Sequence, residues 1–297
     1  AAIHMTLGET YFSLGMYKQS ERHIDQAREI RQKRLGLEAL STLRAMTVLA
    51  NVYVRQRRLD EAEKLLKRVQ LHRKTLASMN VLGLVEWRRG NYNEAVNLFR
   101  KTIEAQERKL GQNHSSTLET VANLAVVYKD QGKYGEAEDL LKKVLELQRR
   151  SPGPDHPSTL TTMHNLSSVY LAQDNYDAAE KLLSEALEVE RRVLGPEHPL
   201  TLLSMGYLAV LYNDRGNWPE AERRFQELLK LHQRAFGREH PVSITTMDHL
   251  ATVNRNLAKY AEAERLLKEA LSIQSRMGRT EQPISLGMLR NLAQVQY

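Results

Sequence analysis

Between Leu118 and Leu145 the apolar residues fall at three- and four-residue steps, stop, and start again. Leu118, Val121, Leu124, Ala125 and Tyr128 share one face of a first helix. Asp130 to Lys133, with Gly132 inside it, interrupts the pattern. Tyr134, Ala137, Leu140, Leu141, Val144 and Leu145 then mark the face of a second. The stretch predicts two amphipathic helices joined by a short turn.

The same pattern recurs along the chain. The position of Tyr134 in the repeat is taken in turn by Tyr17, Leu59, Tyr92, Tyr134, Tyr176, Trp218 and Tyr260, at successive steps of 42, 33, 42, 42, 42 and 42. Three residues on stands a small residue: Ser20, Ala62, Ala95, Ala137, Ala179, Ala221 or Ala263. Upstream, another small residue recurs at Gly8, Ala50, Gly83, Ala125, Ser167, Ala209, Ala251 and Ala293, each preceded by Leu. A missing side chain lets two helix backbones approach, and large residues fill the space around that contact. The pattern predicts an all-α chain forming a single repeat array over 1–297. Its units lie near 1–34, 43–74, 76–109, 118–151, 160–193, 202–235 and 244–277, with a partial eighth at 286–297.

The longer step comes from a stereotyped joint, written LGQNHSST at 110–117, PGPDHPST at 152–159, LGPEHPLT at 194–201 and FGREHPVS at 236–243. Gly195 ends a helix by turning left-handed, Pro196 and Pro199 cannot continue it, Pro199 suits the first turn of the next, and Thr201-Leu202 begins that helix proper. Gln70 to Thr75 lacks this insert, and there the step falls to 33.

These residues resemble the tetratricopeptide repeat. Leu7, Gly8 and Tyr11, followed by Ser20 and Ala27, match the spacing of that family's unit. The 42-residue form, with L-G-x-x-H-P-x-T-L joints and N-L-A-x-x-Y helices, is similar to the kinesin-light-chain subgroup. The resemblance implies a right-handed superhelical solenoid of antiparallel helix pairs, whose first helices line a concave groove for an extended peptide or partner segment. It implies a sensor or scaffold within a larger signalling or transport protein. By register, the family's groove positions fall on Arg44, Asn51, Arg55, Asn80, Trp87, Arg88, Asn123, Lys129 and Asp130. In later units they fall on His164, Asn165, Tyr207, Asn213, Asp214, His249, Arg255, Arg290 and Asn291. The family's grip on a C-terminal carboxylate, by Lys and Asn at set positions, is not reproduced at Thr47, Asn51, Ala77 and Val81.

Asn123, Asn165 and Asn291 share one register. An amide can donate to a peptide carbonyl and accept from its N–H, so such a ladder would hold a backbone without reading its sequence. The alternative is an Asn that merely caps or solvates a helix.

The charge is +7, unevenly spread. Residues 22–110 hold 20 Lys/Arg against 10 Asp/Glu, while 111–297 hold 22 against 24. Arg44, Arg55 and Arg88 fall on the expected groove, with Arg57, Arg58 and Arg89 at the nearby turns. An arginine fork suits carboxylates, so an acidic partner is one reading. A solvated face is the other, because Lys64, Lys67, Arg68, Arg73 and Lys74 lie on second helices or the joint. Head-to-tail self-association, basic third to acidic remainder, is the alternative function.

There is no Cys, which excludes disulfides and thiolate chemistry. His114, His156, His198 and His240 recur once per joint, too far apart for the roughly 2 Å bonds of one zinc site, and read as structural. No nucleophile elbow, phosphate loop or zinc-protease motif occurs, so neither an enzyme nor a cofactor is expected. Steps of 42 and 33 break the uniform register of an RNA reader, and Asp214 and Asp248 mix with Arg255 and Arg290. Nucleic acid is therefore not an expected partner. No apolar run is long enough to span a bilayer, and a cytoplasmic location is expected. Ala1 and Tyr297 both fall inside helical patterns, as in a segment of a longer protein.

Overall fold

The structure, a computed structural model, describes residues 1–73, 75–278 and 283–296, in which every regular element is a helix. Lys74 and Tyr297, both named above, lie outside the described residues. The chain divides into two compact units, Ala1–Ala172 and Gln173 onward.

The first unit contains α1 (Ala2–Ser13), α2 (Tyr17–Leu35), α3 (Leu40–Arg55), α4 (Leu59–His72), α5 (Leu76–Arg88), α6 (Tyr92–Leu110), α7 (Ser115–Asp130), α8 (Tyr134–Arg150) and α9 (Pro157–Ala172). Each odd helix packs on the even helix that follows it as far as α8, and each even helix packs on the next odd one. The odd helices α3, α5, α7 and α9 also touch in sequence, forming one face. The second unit contains α10 (Tyr176–Val193), α11 (Pro199–Asp214), α12 (Trp218–Phe236), α13 (Pro241–Asn256), α14 (Tyr260–Arg276) and α15 (Pro283–Gln296). There α10 packs on α11, and the same alternation runs to α15.

The small residues sit where helices meet. Ala50, Ala62, Ala95, Ala125, Ala137, Ala179, Ala209 and Ala221 are wholly buried. A Cβ built on Gly8 would stand 2.4 Å from Cδ1 of Ile24, and one on Gly83 would stand 2.6 Å from Cε1 of Phe99. Backbone contact at these two glycines is thus a packing requirement.

The joints are more specific than the sequence suggested. Helix α11 begins at Pro199, in the first turn as expected, and His198 caps it: its Nδ1 accepts the N–H of Leu200 at 3.2 Å. His114, His156 and His240 cap α7, α9 and α13 in the same way, accepting from Ser116, Ser158 and Val242 at 3.2, 3.2 and 3.4 Å. A hydroxyl three residues on then donates back to the glycine carbonyl that closed the previous helix. Thr117 to Gly111, Thr159 to Gly153, Thr201 to Gly195 and Ser243 to Gly237 span 2.9, 2.7, 2.8 and 2.8 Å. Gly195 itself has φ +89°, the left-handed turn expected of it. Where the insert is missing, Thr75 replaces histidine as the cap of α5, in a reciprocal pair with Ser78.

Candidate functional site

In the first unit the face of odd helices carries a hollow of about 340 Å³. Thr47 and Asn51 of α3, Asn80 of α5, Leu110 of α6, and Ser116 and Glu119 of α7 line it. Asn51 is half-buried, and its Oδ1 has no partner within the protein. An amide oxygen removed from water without a donor is costly, so the hollow favours an N–H. Asn80 is 9% exposed, and its Oδ1 accepts from Nδ2 of Asn123 at 3.3 Å. Two of the expected groove amides therefore bind each other across neighbouring hairpins.

Glu119 stands open to solvent on one side, yet enough protein surrounds it to push its carboxyl pKa up; Arg55 opposes that rise. Arg55 at the end of α3 lies 5.7 Å over the Phe12 ring, and Arg88 at the end of α5 lies 4.3 Å over Trp87. Among the described residues neither guanidinium makes an ion pair, although both are exposed. Burial against its neighbours lowers the pKa of Arg88, the charges of Arg55 and Arg57 lower it further, and Asp130 opposes them. Asp130 is itself engaged: Nε1 of Trp87 donates to it at 2.7 Å and Lys129 pairs with it at 3.3 Å.

Other basic residues expected here are already committed. Arg44 pairs with Glu9 at 3.1 Å. Arg58 bridges Glu21 and Glu61 at 2.8 and 2.6 Å while covering the Tyr53 ring, and Arg89 bridges Glu63 and Asp60 at 2.8 and 2.6 Å. His164 is only 3% exposed, so it would have to move to meet a ligand. Asn165, one position on in α9, is half-buried.

A recurring contact escaped the sequence reading. The residue just past an odd helix reaches back to the even helix of the preceding hairpin. Gln56 donates to Glu21 at 2.9 Å, Arg89 to Glu63 at 2.8 Å, and Gln131 to Asn93 at 3.3 Å. In the second unit Arg215 reaches Glu180 at 2.6 Å as well as Asp177. The signal was a polar residue at a fixed offset from the repeat, opposite an acidic or amide residue 35 to 38 positions earlier, or 26 where the joint is missing.

The second unit holds the remaining candidates. Tyr207 and Asn213 lie half-buried on α11, and Asn213 accepts from Asn256 at 3.5 Å. His249 of α13 is exposed and stacks on Phe225, rings 5.5 Å apart and inclined by 10°. Arg255 is held by Gln294, Asn291 donates to Asp248 at 2.9 Å, and Arg290 is exposed. A second, apolar hollow of about 380 Å³ lies between α11, α12 and α13.

Known proteins place this architecture. The tetratricopeptide repeat profile matches residues 1–70, 74–146, 116–189, 164–227 and 203–276. No curated protein sequence matches the chain. Among solved structures, a candidate kinesin light chain of Podosopora anserina with nearly identical TPR-like repeats is 28% identical. The match covers 69% of this chain and 97% of that one, with a TM-score of 0.60. BtubC (BKLC) from P. vanneervenii is 21% identical over 80% of this chain and 92% of its own, TM-score 0.61. A tetratricopeptide repeat protein from Parabacteroides merdae is 15% identical over 100% and 98%, TM-score 0.58. These last two similarities concern the fold alone. No helix among the described residues is long and apolar enough to cross a membrane. The chain is similar to kinesin-light-chain-like repeats, belongs to the tetratricopeptide repeat family, and is a protein–protein interaction scaffold.

Proposed function

We propose that the odd-helix face of Ala1–Ala172 binds an extended, carboxylate-bearing segment of a partner protein, as the sensor or scaffold part of a larger signalling or transport protein. The observation that carries this is the pair Arg55 and Arg88. Among the described residues both are solvent-accessible and neither is ion-paired, and the charge of Arg55 helps to lower the pKa of Arg88. A partner carboxylate relieves that repulsion and accepts from two forks at once. Next to them Asn51 lines the hollow, and its unpartnered but buried Oδ1 can accept a backbone N–H once the side chain turns outward. Asn123, with its amide shared with Asn80, and Lys129, shared with Asp130, shape the floor more than they grip. In the second unit the remaining positions, Tyr207, Asn213, His249, Arg255, Arg290 and Asn291, would contribute contacts of lower charge.

Titration of a glutamate-rich peptide at about 0.1 M and about 1 M salt tests this, because the screening length falls from about 10 Å to about 3 Å. The affinity is expected to drop steeply. Binding indifferent to salt, or no binding at the lower salt, overturns the acidic-segment reading.

A further inference from the structure

Helices α3 and α5 lie side by side, and Arg55 and Arg88 are their last residues. A cation there complements the helix dipole, which accounts for both without a ligand. Arg57 has no such account. It stands two residues past α3, at the turn position where other hairpins carry Gly15, Gly90, Gly132 and Gly216. Its φ is +61°, a left-handed conformation that glycine adopts freely and a residue with a Cβ adopts at a cost. Asp174 and Ala258 share the turn, so a Cβ is tolerated there. Asp174 uses its carboxylate locally, accepting from the Tyr176 hydroxyl at 3.0 Å, and Ala258 brings no polar group. Arg57 brings an exposed guanidinium that, among the described residues, makes neither an ion pair nor a side-chain hydrogen bond.

Three guanidiniums are thus gathered at the ends of two packed helices, none of them ion-paired among the described residues. Rings back two of them, Phe12 under Arg55 and Trp87 under Arg88. A ring face attracts a guanidinium and leaves its N–H edge free for an anion. Asp130, whose charge reaches Arg88, is already taken by Trp87 and Lys129. The charges of Arg55 and Arg57 both lower the pKa of Arg88, as crowded like charges do. A carboxylate brings one charge and two oxygens to such a cluster. A phosphate monoester brings about −1.5 to −2 charges at pH 7 and three acceptor oxygens, one for each fork. Arginine suits it, because the planar fork meets two phosphate oxygens at once.

We propose that Arg55, Arg57 and Arg88 together form a site for a phosphate monoester, carried by a phosphorylated side chain of the partner segment. This rests on the odd-helix reading given above and adds that phosphorylation of the partner strengthens its binding. A protein segment is the favoured carrier, because α3 and α5 also present Asn51 and Asn80 to the 340 Å³ hollow, polar contacts that a lipid headgroup would leave unused.

Calorimetric titration of the full chain with three glutamate-rich peptides, identical but for a central serine, glutamate or phosphoserine, tests the site. The phosphoserine form is expected to bind about tenfold or more tightly than the glutamate form. Arg57→Gly, which restores the residue that other hairpins carry, is expected to bring that ratio close to one. It should change affinity for the glutamate form by no more than about threefold. Should Arg57→Gly not fold, Arg57→Gln, which keeps the Cβ, is expected to show the same collapse. Equal affinity of the wild-type chain for the phosphoserine and glutamate forms overturns the proposal, and so does a ratio that a folded Arg57 variant preserves. If the glutamate form binds and phosphorylation adds nothing, the phosphate site alone falls; if none of the three peptides binds, the acidic-segment reading falls with it. Vesicles containing phosphatidic acid are the last arm. Binding to them that Arg57→Gly abolishes, with no preference for phosphoserine, would mark a headgroup site and overturn the proposal.

Discussion

A single carbon added to Gly83 would lie 2.6 Å from the ring of Phe99, which is wholly buried. The ring cannot swing away without displacing its own neighbours. Gly83→Ala is therefore expected to destabilise the chain by about 1–3 kcal/mol, the usual cost of overpacking. Gly206→Ala should do the opposite and raise stability by up to about 1 kcal/mol, because helix propensity improves and the new methyl fits. Thermal unfolding of the two variants, followed by circular dichroism, checks the opposite signs.

The joint histidines act as acceptors through Nδ1, which ties them to one tautomer. His198→Ala removes the cap on α11 and is expected to cost about 0.5–2 kcal/mol, while His198→Asn, which can cap in the same position, should recover most of it. Denaturant titrations of both variants provide the measurement.

Acid should loosen the second unit before carboxylates alone would. Burial, reinforced by His240, pushes the His232 imidazole from an ordinary 6.5 down to about 4. The unfolded chain takes up that proton first, so the neutral ring's contribution to stability is whole above pH 6.5. It is lost progressively as pH falls toward 4. His198 shifts the same way, by burial, with Glu190 opposing. His232→Gln is expected to flatten the fall in melting temperature between those pH values. An unchanged slope would show that the ring does not titrate in this window.

The clamps between hairpins are exposed and should be modest. Arg89→Ala removes the pairs to Glu63 and Asp60 and is expected to cost about 1 kcal/mol, less at high salt. Glu63 also loses part of what holds its pKa low, though Lys67 supplies the larger share. Comparing melting temperatures at low and high salt separates the ion pairs from any packing loss.

The fold was legible because its causes are local and repeated. Helical periodicity, small residues at fixed offsets, and Gly-Pro joints each act within a unit, so seven copies reinforce one another. What fixes the boundaries was less legible: prolines mark the first turn, as Pro199 does for α11, but nothing in a lone histidine announces a cap. The candidate site was hardest to read, because availability depends on distant partners. Arg44 and Arg55 look equivalent in sequence, yet Glu9, 35 residues away, takes up Arg44 and leaves Arg55 without an ion pair. His164 held a groove register but is buried.

The measurement that bears most directly on the central proposal is calorimetric titration of a glutamate-rich peptide into the wild-type chain and into Arg55→Ala/Arg88→Ala. Hydrogen bonds to charged groups contribute about 1.5–3 kcal/mol each, so the double variant should bind on the order of a hundredfold more weakly. Its melting temperature should change little, because losing the contacts of Arg55 with Phe12 and of Arg88 with Trp87 offsets the removal of two like charges. Equal affinity in the two proteins, with both folded, would contradict the account.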